Sequence, residues 1–198
     1  YIDPEYNEPL DQELVIQSHY KKIIFSNYKL SDDVFEAYEN DGLYEACSNG
    51  KIKYIGSKFN CPLSNSLDNC TLLTHIIFGH SFNQPLNNCL DKLISLTHIN
   101  FGSSFNQPLN NCLDKLISLT HLTFSGDFNH PLYNCLDKIS LTLANIDFGY
   151  YFNQPLSNAL NNCTALTHIN FGSVNGHFNQ SLGNSLNNCT LLTHINFC

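Results

Sequence analysis

The sequence contains no arginine, no tryptophan and no methionine, and it has no hydrophobic run of membrane-spanning length. Without arginine, the chain lacks the guanidinium group that recognises phosphate or guanine through two parallel hydrogen bonds. Its net charge of -8 also disfavours broad electrostatic binding of nucleic acid. We therefore expect neither a nucleic-acid-binding protein nor a membrane-spanning one.

Motifs of catalysis and cofactor binding are lacking as well. The sequence has no Gly-rich phosphate loop and no dinucleotide-binding fingerprint, and no residue pair resembles a nucleophile with its base. Acidic residues are sparse after residue 58, and Asp91, Asp114 and Asp137 each precede a Lys, which is typical of a solvated edge. We expect no enzymatic activity, no cofactor and no metal.

The nine cysteines are an odd number, and most of them recur with a fixed spacing. Such a pattern is not typical of a secreted disulfide framework, so we expect buried, reduced thiols that act as small apolar side chains. The residues concerned are Cys70, Cys89, Cys112, Cys135, Cys163 and Cys189. This interpretation predicts an intracellular, cytoplasmic protein.

A repeat that begins with Phe-Asn determines the predicted fold. Its copies start at Phe59, Phe82, Phe105, Phe128, Phe152 and Phe178. Two copies are almost identical, with FNQPLNNCLDKLISLTHINF from Phe82 and FNQPLNNCLDKLISLTHLTF from Phe105. Leu always stands four and eight residues after the Phe, and a small residue stands seven after it. Stacked copies would form one continuous core, as in a solenoid.

Each copy ends with a segment such as LTHINF, which matches the leucine-rich-repeat pattern LxxLxL. Ile99 and Phe101 alternate there with His98 and Asn100, which predicts a short half-buried strand. We expect parallel, neighbouring strands centred on Ile76, Ile99, Leu122, Ile146, Ile169 and Ile195.

The return to the next strand has apolar residues three apart, as at Leu90, Leu93 and Leu96. This spacing predicts a short helix or 3₁₀ turn. The predicted fold over residues 59–198 is therefore an α/β repeat solenoid, a leucine-rich-repeat-like stack of short parallel strands with helical or 3₁₀ returns.

Residues 1–58 differ in composition, because they hold 11 of the 17 acidic residues and 6 of the 9 lysines. Ser31 is a good N-cap for a helix that reaches Asp41, and Gly42 would end it. The segment Ile52–Ile55 predicts a strand just before the first repeat. We expect a partly helical cap over the N-terminal end of the solenoid core.

The unit FNQPL followed by LTHLxF resembles the FNIP repeat of amoebae and of their giant viruses, mimiviruses especially, over about residues 59–198. The copies here are longer than the usual repeat of that family, and Leu replaces the usual Ile after Pro. The resemblance implies a leucine-rich-repeat-like fold and a role in protein interaction. It also implies that an F-box precedes the repeats in some members, which would make the protein a substrate receptor for ubiquitin ligation. Residues 1–58 lack the Leu-Pro signature of an F-box, so an F-box remnant is the alternative to a cap.

One outward strand position carries His in five copies and Asn145 in the sixth. Such a row could be a metal site or a pH sensor. A flat row offers two ligands at best, so we favour a stacked polar surface. The expected interaction face consists of His75, His98, Asn100, His121, Thr123, Asn145, Asp147, His168, Asn170, His194 and Asn196.

The Asn that follows each Phe has a structural interpretation. A turn beside a strand leaves backbone groups unpaired, and a side-chain amide can satisfy both donors and acceptors. Stacking should place these amides in a ladder made of Asn60, Asn83, Asn106, Asn129, Asn153 and Asn179.

These features predict a non-enzymatic scaffold that binds another protein through the strand face, including substrate recognition as the resemblance implies. The alternative is a structural protein, such as a virus-particle component, that stacks through its solenoid ends. No closing cap follows the last strand in the sequence, so self-association through an open C-terminal end belongs to this alternative. In a viral protein, the expected location is the host cytoplasm or the virion.

Overall fold

A computed structural model describes residues 22–25, 52–55, 60, 62–63, 67–68, 70–172 and 176–197. These residues contain one parallel sheet in the order β2-β1-β3-β4-β5-β6-β7-β8. The strands are β1 Lys22–Phe25, β2 Ile52–Ile55, β3 His75–Ile77, β4 His98–Phe101, β5 His121–Phe124, β6 Asn145–Asp147, β7 His168–Asn170 and β8 His194–Asn196.

From β3 onwards, each strand pairs with the next one along the chain, and equivalent residues of successive copies face each other. His98 pairs with His75 on one side and with His121 on the other. The prediction of parallel neighbouring strands, one in each copy, is therefore confirmed. The repeats form a parallel β-solenoid in which each copy is one coil.

The returns between strands contain no α-helix and no 3₁₀-helix anywhere in the part of the chain that the structure describes. Instead, single turns follow one another. The N–H of Leu93 donates to the Leu90 carbonyl (2.9 Å), and the N–H of Leu96 donates to the Leu93 carbonyl (2.9 Å). A 3₁₀-helix needs such bonds at consecutive residues. Leucines three residues apart in the sequence thus mark the corners of separate turns. The predicted α/β architecture with helical returns is not confirmed.

At the N-terminal side, Ile52–Ile55 is a strand as predicted, but it does not lie beside the first repeat. β1 lies between them, with Lys22 paired to Ile52 on one side and to His75 on the other. The sequence gives no signal for β1, because its residues, KIIF, have no alternation of apolar and polar side chains. The predicted helix from Ser31 to Asp41, and the cap that it would form, lie outside the described residues.

Two columns of phenylalanine form the centre of the core. Phe101, at the end of its strand, packs on Phe105 within the turn that follows, with ring centroids 4.2 Å apart. Phe105 also stacks on Phe82 and Phe128 of the neighbouring coils, with centroids 6.2 Å apart in each case. These side chains are buried. Because each ring touches rings of its own and of both adjacent coils, aromatic packing runs continuously along the solenoid axis.

The coils approach each other closely where the strand ends. A Cβ atom on Gly102 would collide with the carbonyl oxygen of Gly79 in the preceding coil. The chain therefore needs glycine at this point, since even a methyl group would push the two backbones apart.

Candidate interaction surface

The structure places all eleven predicted face residues on the same side of the sheet, in two rows that cross the strands. Pairing aligns the first row as His75, His98, His121, Asn145, His168 and His194, and the second as Asn100, Thr123, Asp147, Asn170 and Asn196. Ile77 occupies the second-row position in β3. We call these eleven residues the strand face.

The histidine rings of adjacent coils stack face to face. The centroids of His75 and His98 are 4.1 Å apart, and those of His98 and His121 are also 4.1 Å apart. Asn145 interrupts the column, and His168 and His194 form a second stack at 4.4 Å. In the middle coils these rings are half-buried by their neighbours, whereas His168 and His194 are exposed.

Each ring is held by the threonine that precedes it. The Thr97 hydroxyl donates its one proton to the Thr74 carbonyl of the previous coil (2.9 Å). Nδ1 of His98 lies 2.8 Å from the same hydroxyl oxygen, so Nδ1 must carry a proton and donate it. Thr120 and His121 repeat this arrangement at 3.0 Å and 2.8 Å. The hydrogen bonds therefore fix both the orientation of the rings and the protonation of Nδ1.

The second row is linked by side-chain hydrogen bonds between coils. Asn196 donates to the Asn170 side-chain oxygen (3.0 Å), and Asn170 donates to the Asp147 carboxylate (3.0 Å). Burial raises the pKa of the Asp147 carboxyl, and the hydrogen bond from Asn170 opposes this shift. Asp147 is thus the one carboxylate in a row of neutral side chains.

This geometry disfavours a metal centre on the strand face. Stacked parallel rings direct their in-plane nitrogen atoms side by side, whereas a zinc site needs ligands that converge on one point. Among the described residues, no group of three or more His, Cys, Asp or Glu side chains is arranged to hold a metal ion.

Beside the sheet, the Asn side chains form the expected ladder geometry. The side-chain oxygen of Asn83 accepts the backbone N–H of Asn106 (2.9 Å), and that of Asn106 accepts the N–H of Asn129 (3.0 Å). The same bond links Asn60 to Asn83, Asn129 to Asn153 and Asn153 to Asn179. Five of the six side-chain oxygens, all but that of Asn179, therefore satisfy a backbone donor of the next coil.

A second member of this ladder, which was not predicted, is the Gln that follows the Asn. Gln107 donates from its side-chain amide to the Asn83 side-chain oxygen of the previous coil (3.0 Å), and Gln84 does the same to Asn60 (3.1 Å). The signal was the Gln that follows Phe-Asn in four copies. His130 replaces it in the copy that starts at Phe128, where the ring Nε2 lies 3.1 Å from the Asn106 carbonyl oxygen.

The six cysteines of the repeats that the structure describes are buried and free, as predicted. Burial raises the pKa of all six thiols, and it raises those of Cys89 and Cys163 to about 12. Near neutral pH these groups are thiols, so they have little nucleophilic or ligand character. Cys47, Cys61 and Cys198 lie outside the described residues.

Comparison with known proteins gives no relative: no family model, no curated protein and no solved structure matches this chain. In the part of the chain that the structure describes, no helix is long and apolar enough to cross a bilayer.

Proposed function

We propose that this protein is a non-enzymatic scaffold that binds a partner protein through the strand face. The observation that carries the proposal is the rigid, repeated set of polar groups on that face. Each ring in the column of His75, His98 and His121 is oriented by a threonine, and Asn196 and Asn170 are oriented by the hydrogen bonds of the second row. A partner that binds groups already fixed in place loses less conformational entropy than one that must order them.

The chemistry of the face favours polar, nearly neutral recognition. The two rows contain imidazole, amide and hydroxyl groups and one carboxylate, Asp147. A complementary partner would present backbone or side-chain hydrogen-bonding groups rather than a strongly charged surface. The resemblance to FNIP repeats agrees with this role, and it extends the proposal to substrate recognition in an amoebal or giant-virus protein of the host cytoplasm.

The test is to capture partners from the native cell with the parent protein and then compare variants. His98→Gln together with His121→Gln keeps polarity but removes two stacked rings. Asn88→Gln together with Asn111→Gln changes two exposed residues away from the face and is the matched control. We expect the histidine variant to lose at least about tenfold in affinity. Equal binding by parent, control and histidine variant would exclude the strand face as the contact.

The alternative is a structural protein that assembles through the solenoid ends, and one observation favours it. Ile195 and Phe197 are 40% and 51% exposed, whereas their equivalents Ile99 and Phe101 are 1% and 0% exposed. A further coil, from this chain or from a second copy, would cover them. Sedimentation against protein concentration separates the two functions, because assembly through this end should disappear in Phe197→Ser and persist in the His98 and His121 variant.

A further inference from the structure

One strand departs from the others at both positions of the strand face. In the first row, Asn145 of β6 stands between His121 and His168, where the other five repeat strands have His. In the second row, the same strand carries Asp147, the single carboxylate of the face. Residues two apart in a strand point to the same side of the sheet. The missing ring and the added charge therefore lie side by side.

The missing ring leaves a gap in the histidine column. Stacked rings elsewhere in the column are 4.1 to 4.4 Å apart, whereas two strand spacings, about 9.6 Å, separate His121 from His168. One planar group between these two rings would therefore lie close to the stacking distance from each. The Asn145 side chain is shorter than an imidazole, and its oxygen accepts a hydrogen bond from the Thr167 hydroxyl (3.2 Å). His168 is exposed, whereas His98, with a stacked ring on both sides, is half-buried.

The two rings that flank the gap are held in place by hydrogen bonds. Nδ1 of His168 lies 2.8 Å from the Thr167 hydroxyl oxygen, and Nδ1 of His121 lies 2.8 Å from that of Thr120. We call the space between these two rings, above Asn145, the column gap. Because its walls are already oriented, a ligand that enters the column gap need not order them.

The carboxylate beside the column gap has only a neutral donor. Asp147 is half-buried, and among the described residues its hydrogen-bond donor is the Asn170 amide (3.0 Å). Burial raises the pKa of the Asp147 carboxyl, because the charged form is less well solvated. A cation placed beside this carboxylate would therefore stabilise its charged form more than a second neutral donor would.

We propose that the column gap binds an arginine side chain of the partner protein, with the guanidinium plane stacked between His121 and His168 and its N–H groups donating to Asp147. A guanidinium group is planar, stacks on aromatic faces and matches a carboxylate with paired donors. A lysine ammonium group is compact and offers no plane to stack. These 198 residues contain no arginine, so the group comes from outside them. This inference rests on the proposed function, in which the strand face is the contact surface.

Small arginine and lysine derivatives test the inference without knowledge of the partner. The probes are N-acetylarginine methylamide and N-acetyllysine methylamide, each added to the full chain while NMR shifts are followed. The arginine probe should give saturable shifts at Asn145, Asp147 and His168, with Kd on the order of millimolar. The lysine probe should bind at least about threefold more weakly. Equal binding of the two probes, or the absence of saturable shifts at these residues, would overturn the inference.

Variants separate the gap from the charge. Asn145→His fills the gap with the residue of the other strands, and it should weaken arginine binding at least about fivefold although Asp147 is kept. Asp147→Asn keeps the gap and should weaken binding by a similar factor. The matched control combines Asp147→Asn with Asn100→Asp, which moves the carboxylate beside His98, where the column is filled. This control should bind no better than Asp147→Asn alone. Full recovery of arginine binding in the control would mean that charge suffices, and would overturn the role of the gap.

Partner capture distinguishes this inference from the proposed function. If the strand face is the contact and an arginine enters the column gap, the partner should be lost both from Asn145→His and from the His98 and His121 variant. Loss from the His98 and His121 variant alone would keep the strand face as the contact and would overturn the arginine site.

Discussion

At the scale of single residues, backbone conformation is most restrictive at the fifth position after each repeat Phe. Its backbone is left-handed in every coil where it is described, with φ of 42° at Asn87, 45° at Asn110, 34° at Tyr133, 50° at Ser157 and 50° at Gly183. Asn and Gly adopt this conformation readily, but a bulky residue does so at a cost. Tyr133 therefore stores backbone strain, and its 68% exposure means that little packing offsets it.

Replacing Tyr133 by Asn should stabilise the protein by about 1 kcal/mol, because the strain is relieved and little buried surface is lost. Denaturant unfolding measures the change. The reverse substitution, Asn110→Tyr, is the control in a neighbouring coil and should destabilise by a similar amount. If both substitutions shift stability in the same direction, backbone conformation is not the cause.

Asp147 gives a second prediction at this scale. Its folded pKa lies above 3.8 because burial disfavours the charged form, so the native state holds the proton to higher pH than the unfolded state. The contribution of Asp147 to the free energy of unfolding therefore falls as pH rises from 3.8 through the folded pKa. Asp147→Asn removes this loss of stability, because an amide does not ionise, and its side-chain oxygen can still accept the hydrogen bond from Asn170. We expect the variant to exceed the parent in stability at pH 7 and to match it below pH 3.8, as urea unfolding at several pH values can show. A variant that is less stable than the parent at pH 7 contradicts the argument.

At the scale of one coil, the pair of phenylalanines matters most. Phe105 is buried and stacks on Phe82, Phe101 and Phe128. Phe82 and Phe128 hold the same position in the two adjacent coils. The stability of a coil is therefore shared with its two neighbours.

Phe105→Ala should cost about 3–5 kcal/mol and should divide thermal unfolding into separate steps for the two flanks. Calorimetry detects both effects. Phe197→Ala is the matched control, since that ring is 51% exposed and stacks on Phe171 at 5.2 Å on one side. It should cost less than half as much. A Phe105 variant that melts in one sharp transition at the parent temperature would show that the coils are not coupled through these rings.

Sequence patterns predicted the strands that turn one face to the core and the other face to solvent. In LTHINF, the alternation of apolar and polar residues predicted the strand, because Ile99 and Phe101 are buried while His98 and Asn100 are not. The returns were misjudged because inward leucines every three residues arise equally from a helix and from successive turns. The place of the strand Lys22–Phe25 between Ile52–Ile55 and the first repeat could not be predicted, since it depends on pairing between residues far apart in the chain. The two rows of the strand face could be predicted from the strand register alone. The hydrogen bonds by which the threonines orient the histidine rings could be seen only in the structure.

At the scale of the molecule, each coil contacts only the coils beside it, so stability should vary along the axis. Two buried cysteines can test this expectation, Cys112 seven residues after Phe105 and Cys189 eleven residues after Phe178. Cys112 is 3% exposed between two complete coils, and Cys189 is 7% exposed in a coil where Leu186 and Leu192 are only partly buried. A coil with one ordered neighbour opens more easily than a coil with two.

Alkylation of the native protein should therefore be slow at all six repeat cysteines and should proceed faster at Cys189 than at Cys112. Burial raises the pKa of both thiols, so the reactive thiolate forms only after the coil opens. Mass spectrometry of peptides after increasing times of treatment measures each rate, and the denatured protein gives the unprotected reference. Rapid and equal modification at Cys112 and Cys189 would mean that the solenoid opens as a whole or not by coils.

The equivalence of the coils also has a consequence for how the gene can change. The copies that start at Phe82 and Phe105 are nearly identical, and Asn129 would meet the Asn83 amide as well as it meets that of Asn106. Removal of residues 105–127 by unequal recombination between these stretches of the gene would therefore leave no mismatched junction. A lineage can lengthen or shorten this protein by whole units in a single genetic event. Selection then acts on the length of the solenoid rather than on whether the protein folds.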